Sequence, residues 1–302
     1  MNVKYKLTIA ILTMNRSEQM REAIQSCLNS ALPENTQFVV VDNASTDDTQ
    51  SVIENMKQKF PYDLVYHKEE ENRGVGGGRT IAFDLSEGEY VYFLDDDAVI
   101  SSESAKDFFV KTVEYMDKYP KVASVTTQIH DEIFGDSRTN LMSDKEYEGK
   151  KLAFFYLGGS HFLRKSCFSS PLYFNIKYAG EEYAPSIKAI DRGFVHTYDG
   201  SISITHKPKV NKWVDGTDRM RNIQIRCAAV VYATKKILYP TVFLPVLWAG
   251  YMKRCNIYLK EYPGAKKEAD AMVREICRAN KSKKVRVKTV LNMYKTFGLT
   301  VF

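Results

Sequence analysis

At 302 residues with 44% hydrophobic side chains, the chain is a globular protein with room for one large α/β domain plus an appendage, or for two modest domains. Its net charge of +6 is unevenly placed: residues 1–250 carry 30 Lys/Arg against 33 Asp/Glu, whereas residues 251–302 carry 13 against 4. That basic tail lacks the aromatic-basic motifs of a nucleic-acid reader, so the expected partner is an anionic membrane surface and not nucleic acid.

Lys4 and Lys6 precede the apolar stretch Leu7 to Met14 and imitate a signal peptide, but the stretch stops at Asn15-Arg16 with no small-residue cleavage site. Leu7 to Thr13 therefore reads as a first strand. Ser17 to Asn29 follows with helical periodicity, then a strand at Gln37 to Asp42, a helix at Asp48 to Lys59, a strand at Leu64 to His67, a helical segment at Arg79 to Ser86 and a strand at Glu89 to Leu94. Strands alternating with helices predict parallel βαβ units with ligands bound at the carboxyl ends of the strands. Polar residues stand at those ends: Thr13-Met14-Asn15-Arg16, Asp42-Asn43 and Asp95-Asp96-Asp97. A helix is expected from Ser101 to Tyr115, a long polar surface excursion from Gln128 to Lys150, and strand-like segments near Phe154 and from Phe194 to Thr205. After Asp215 the chain turns helical, basic and aromatic.

Three adjacent carboxylates at the mouth of a buried strand repel one another unless a positive charge sits among them. In an extended chain Asp95 and Asp97 point the same way, so both can reach one ion while Asp96 faces elsewhere. Oxygen ligands suit Mg2+ or Mn2+, with phosphate and water completing the shell. The alternative is helix capping by the same aspartates. A Ca2+ loop beginning at Asp42 is excluded, because its sixth position is Asp47 instead of Gly and its twelfth is Ile53 instead of Glu. The glycines at 74, 76, 77 and 78 allow a tight turn, yet no Gly-Lys-Ser/Thr follows and the run does not directly follow a strand as a dinucleotide fingerprint would.

ILTMNR (11–16), VVVDNASTDDT (39–49), NRGVGGGRTIAFDLSEGEYVYFLDDDA (72–98), GEEYAPSIKAIDRGF (180–194) and then His206 occur in that order. Together they resemble family 2 glycosyltransferases, inverting enzymes of the GT-A fold that use nucleotide sugars. The resemblance runs from about Leu7 to His206. It implies a Rossmann-like, mostly parallel α/β sheet flanked by helices over residues 1–212, followed by a helical basic region over 213–302. It further implies nucleotide contacts from Thr13, Asn15, Arg16, Asp42, Arg79, Asp95 and Asp96, with Asp42 accepting a hydrogen bond from the imide N–H of uracil or thymine. The metal, Mn2+ or Mg2+, would fall to Asp95 and Asp97, with His206 completing the shell in some relatives. The general base would be Glu182, with Glu181 as the fallback, although the family more often has Asp there. Gly159 and His161, in the GGSH segment, would line the acceptor cleft.

The implied partners are a UDP- or dTDP-sugar donor and a glycan or lipid-linked acceptor. The rivals are a sugar-nucleotidyltransferase, whose lysine or arginine signature near the first strand is missing, and a non-catalytic nucleotide-sugar-binding subunit. Five cysteines, widely spaced and without C-x-x-C pairing, argue for a reduced, cytoplasmic protein without structural zinc. Between Lys236 and Lys253 lie sixteen uncharged residues broken by Pro240 and Pro245, too short for a membrane span and better suited to a buried hairpin or an interfacial segment. Lys281, Lys283, Lys284, Arg286 and Lys288 beside Val290, Leu291, Met293, Tyr294 and Phe297 read as a helix lying on a membrane face, or as a solvated helix packing on its own domain or on a second subunit.

Overall fold

The computed structural model describes residues 4–132, 142–176, 179–208 and 216–302. Strands β1 (Tyr5–Thr13), β2 (Thr36–Asp42), β3 (Asp63–Lys68) and β4 (Gly88–Asp95) stand in the order β3-β2-β1-β4, all parallel. Every residue of β2 is buried, because helices cover both faces of a parallel sheet, and for the same reason these strands read as unbroken apolar runs. The links are α1 (Ser17–Leu28), α2 (Thr49–Lys57) and α3 (Gly74–Leu85). Because the strand order reverses at β1, the carboxyl ends of β1, β2 and β4 open onto one crevice.

Two expectations change here. The tight turn expected of the glycines at 74, 76, 77 and 78 is confined to Gly74, at a positive φ of 72°, and the others lie in the first turns of α3. Gly78 is needed there, since a Cβ on it would lie 2.3 Å from Leu12 on β1. The helix expected from Ser101 starts later, as α4 (Val110–Lys118), after a run of turns, so it is too distant for Asp95, Asp96 or Asp97 to cap.

Beyond β4 come β5 (Ala98–Ile100), β6 (Val122–Asp131), β7 (Met142–Tyr147), β8 (Lys150–Ala153), β9 (Ser160–Arg164), α5 (Tyr183–Asp191) and β10 (Val195–His206). The sheet continues β4-β9-β6-β10-β8-β7, with β9 antiparallel to both neighbours, β10 parallel to β6, and β5 antiparallel to β10. The stretch expected as a surface excursion from Gln128 to Lys150 instead contributes the end of β6 and all of β7, while its residues 133–141 lie outside those described.

The C-terminal helices α6 (Gly216–Leu238), α7 (Leu244–Tyr258), α8 (Ala265–Ala279) and α9 (Val287–Phe297) share one apolar core. Phe154, Phe174, Ile176, Ala184 and Ile187 belong to that same core, so the region is built onto the sheet domain through α5. The expected boundary between residues 212 and 213 lies outside the described residues. Pro240 precedes a 3-10 turn at Thr241–Phe243 and Pro245 sits in the first turn of α7, where a missing N–H costs nothing. No helix among the described residues is long and apolar enough to cross a membrane.

Candidate active site

Strand register assembles the site. Pairing of β5 with β10 sets His206 opposite Ala98, next to Asp97, and pairing of β10 with β6 sets His206 opposite Asp131. Pairing of β4 with β9 brings the residues before Ser160 to the end of β4, where the Asp95 N–H donates to the Gly159 carbonyl at 3.1 Å.

Ligand atoms of Asp95, Asp97 and His206 lie within 4.8 Å of one another. His206 is held from both sides, its Nδ1 2.8 Å from Asp131 Oδ2 and its Nε2 3.1 Å from Asp97 Oδ1. The Asp131 carboxylate is fully buried, so it fixes the orientation of the imidazole and aims Nε2 at Asp97. Burial works to raise the Asp97 pKa, but His206 and Arg16 outweigh it and hold the group below its ordinary value. Two carboxylates and one imidazole are a donor set that Mn2+ accepts, and the preformed Asp131 support is what a metal-binding histidine needs. The residues fit a divalent ion.

Asp96 stands outside the Asp95–Asp97–His206 group, yet the chain turns at 96–97 instead of staying extended, and Asp96 and Asp97 meet at one arginine. Arg16 Nη1 donates to Asp96 Oδ1 at 2.8 Å and to Asp97 Oδ2 at 2.5 Å. Burial raises Asp96 to about 6 despite Arg16. Asn15, at a positive φ of 54°, ties the β1 loop to the β2 loop: its N–H donates to Ser45 Oγ at 2.9 Å and its Oδ1 accepts from the Thr46 N–H at 2.7 Å. Thr13 is buried at the end of β1. Asp42 is wholly enclosed, with Oδ1 accepting from the Ser45 N–H at 2.7 Å and Oδ2 from the Tyr66 hydroxyl at 2.8 Å. Its carboxylate already organises the β2 loop, so a base contact would have to be an additional bond to an oxygen in use.

Arg79 is the charge centre. From the middle of α3, buried, it donates to Asp95 Oδ1 at 2.5 Å and to the Gly158 carbonyl at 2.9 Å, and it lies 3.3 Å from Glu181 and 3.6 Å from Glu182. Burial opposes its charge, yet Asp95 and Glu181 hold it further above its ordinary pKa. Glu181 and Glu182 precede α5. Glu182 occupies the N-cap position but makes no side-chain capping bond. Burial, then Glu181, push Glu182 up to about 8 against the pull of Arg79. Glu181 is raised by burial as well, and its Oε2 is buried without a hydrogen-bond partner among the described residues.

At Gly158 a larger residue would crowd Glu182 and Arg79: a Cβ there would stand 2.4 Å from Glu182 Oε1 and 2.9 Å from Arg79 Nη1. His161 departs from expectation. It is completely enclosed within β9, its ring stacked between Phe93 and Tyr156 at 5.2 and 4.5 Å, and it offers no surface to an acceptor. Burial and the nearby Arg79 keep it neutral, with a pKa well below the ordinary value. Asp131 went unnoticed in the sequence because it sits in an otherwise ordinary strand. Only the His206 register reveals it.

Six carboxylates (Asp95, Asp96, Asp97, Asp131, Glu181 and Glu182) thus converge around two guanidinium groups.

Residues 8–172 match the model described as glycosyl transferase family 2. The minor teichoic acid biosynthesis protein GgaB of Bacillus subtilis is 31% identical over 109 residues, 35% of this chain but only 12% of GgaB's length. The crystal structure of Staphylococcus aureus TarS 1-349 in complex with UDP-GlcNAc superposes with a TM-score of 0.62 at 17% identity, covering 95% of this chain and 83% of that one. The mannosyltransferase PcManGT of Pyrobaculum calidifontis, in complex with GDP-Man and Mn2+, superposes at 0.58 and 17% identity, covering 98% and 81%. These likenesses show the same α/β fold, the GT-A arrangement.

Proposed function

The chain belongs to glycosyl transferase family 2, and from that premise we propose that it moves a sugar, with inversion, from a UDP- or dTDP-linked donor to a hydroxyl of a glycan or lipid-linked acceptor. One observation carries the reading: Arg79 links a preformed metal-type cluster at the β4 end to a buried carboxylate pair with raised pKa values. A donor diphosphate needs the first and an attacking hydroxyl needs the second. The teichoic acid role in GgaB's name, the poly(ribitol-phosphate) N-acetylglucosaminyltransferase activity in that of TarS, and the UDP-GlcNAc bound to TarS favour cell-surface polysaccharide assembly and a uridine donor.

The nucleotide side of the crevice is formed by Thr13, Asn15, Arg16, Asp42 and Asp96, with Arg79 near the diphosphate. Asp95, Asp97 and His206 would hold Mn2+ or Mg2+, which when bound neutralises charge on the departing nucleoside diphosphate. Asp131 keeps His206 oriented for that duty. Glu182, once ionised, takes the proton from the acceptor hydroxyl as it attacks the anomeric carbon, and Arg79 keeps Glu182 and Glu181 from repelling each other out of place. Gly158 leaves the room that lets Glu182 and Arg79 meet.

The test is thermal stabilisation by nucleotide sugars with and without Mn2+, followed by NMR of the product's anomeric configuration. A ligand at a hundred times its Kd adds about 2.7 kcal/mol to a folded state that alone binds it. Metal-dependent stabilisation by a UDP- or dTDP-sugar and an inverted product are expected. The absence of a response to any donor in the presence of Mn2+ would refute the reading.

A further inference from the structure

The C-terminal helices carry an apolar surface that the proposed sugar transfer does not use. On α9, Thr289, Val290 and Met293 face the core, while Val287, Leu291 and Tyr294, spaced four and three residues apart, lie exposed on a neighbouring stripe. The stripe continues off the helix. Leu299 is 72% exposed in the turn that follows, and the Phe302 ring lies 5.8 Å from both Tyr294 and Phe243. Phe243 adjoins Val242, itself 69% exposed in the 3-10 turn that opens α7. Two chain segments about fifty residues apart in sequence therefore present one apolar face.

Charge says what covers it. Lys288 and Lys295 follow the stripe along the far edge of α9, both exposed, and Lys281, Lys283 and Lys284 lead into the helix, whereas Arg286 is paired with Asp191. No acidic residue occurs between Lys281 and Phe302. A second protein copy meeting this face would oppose lysine to lysine, whereas a bilayer bearing anionic lipid satisfies the apolar stripe and the basic rim together. We infer that this face, formed by α9, the turn through Leu299 and the 3-10 turn at Val242, docks the protein in the plane of an anionic membrane. The interaction is interfacial: since no described helix can cross a bilayer, the stripe would lie at headgroup depth. The inference is independent of the donor's identity.

The experiment is co-sedimentation of the whole chain with phosphatidylcholine vesicles, with and without phosphatidylglycerol, over a range of salt. Binding is expected only to the anionic vesicles and should weaken as salt rises. Lys288→Glu with Lys295→Glu should lower partitioning by more than twentyfold, from about fivefold for each lysine neutralised. Leu291→Ser with Leu299→Ser should lower it at least about tenfold through lost apolar insertion. Unchanged melting temperatures would confirm that both double variants fold, as expected for exposed positions, and UDP-sugar binding should be unaffected in both. Equal binding to neutral vesicles, indifference to either double variant, or a dimer in light scattering that Leu291→Ser dissociates while vesicle binding is absent would each overturn the inference.

Discussion

Replacing Glu182 with Gln should move activity and stability in opposite directions. Glu182 is buried, next to Glu181, with only part of Arg79 to balance it, and its pKa rises from 4.5 to about 8. The folded protein therefore keeps this proton across a pH range in which the unfolded chain has released it. A raised carboxylate pKa means that the group's favourable contribution is fully present below about 4.5 and is lost as pH climbs through about 8. The gap between those two values, at ~1.4 kcal/mol for each decade of proton activity, bounds the cost of the ionised form at roughly 5 kcal/mol. Because Glu181 and Glu182 titrate as a pair and Glu181 takes up part of the relief, the gain expected from Glu182→Gln is on the order of 2 kcal/mol at about pH 9 and close to zero at about pH 5. Gln resembles the protonated acid, and no capping bond is lost. Differential scanning calorimetry should show the variant melting several degrees higher at the alkaline pH and unchanged at the acid one, while transfer to the acceptor disappears and UDP-sugar binding persists. Equal melting at both pH values would refute the electrostatic argument. Undiminished turnover would remove Glu182 from the role of base and pass it to Glu181.

Turnover of the unaltered protein should rise with pH towards about 8 as the carboxylate pair loses its shared proton, so a rate profile flat from about pH 6 to 9 would speak against a base at this position. Asp131→Asn should weaken Mn2+ binding, read by electron paramagnetic resonance, by about 10- to 100-fold while the UDP-sugar still binds without metal, since Asp131 meets His206 at Nδ1, on the side away from Nε2. Gly158→Ala should lower kcat far more than it lowers the melting temperature, because the atoms nearest the added methyl group are those of Glu182 and Arg79. Arg79→Ala strands Asp95, Glu181 and Glu182 without a counter-charge and should cost about 3–5 kcal/mol in urea unfolding; Arg79→Lys should recover part of that stability but not the two-nitrogen span from Asp95 and the Gly158 carbonyl at Nη2 to Glu181 at Nη1.

The parallel half of the sheet was legible because buried parallel strands and their covering helices leave two distinct periodicities, and every strand from β1 to β4 was located to within two residues. The turns around Ser101 and the glycine run of α3 were not. Helical spacing of apolar residues from Ser101 to Tyr115 also suits packed turns, and glycines chosen for close packing against Leu12 look, in sequence, like glycines chosen for a loop. Asp95, Asp97 and His206 could be grouped in advance only through family resemblance, since 109 residues separate Asp97 from His206 and the β5–β10 register that joins them has no local signature. His161 shows the reverse error. A histidine in a polar GGSH segment suggests a cleft, but its place opposite Phe93 in the β9 register puts it inside the sheet.

Arg79 explains why the two halves of the site occur together. Had Asp95 been paired to a surface lysine and the two glutamates left to themselves, the crevice would hold two unrelated acidic clusters, and Glu182 would sit in a buried pair with nothing to offset it. One guanidinium spanning Asp95, the Gly158 carbonyl and both glutamates makes the position of each cluster depend on the other. A cation arriving at Asp95 and Asp97 competes with Arg79 for Asp95, which frees more of the guanidinium charge for Glu181 and Glu182 and favours their ionised forms. Metal loading should then lower the pH at which the carboxylate pair ionises. Comparing the carboxylate bands by infrared difference spectroscopy with Mg2+ present and absent tests this directly, and an unshifted titration would show that Arg79 is a structural tie and not an electrical one.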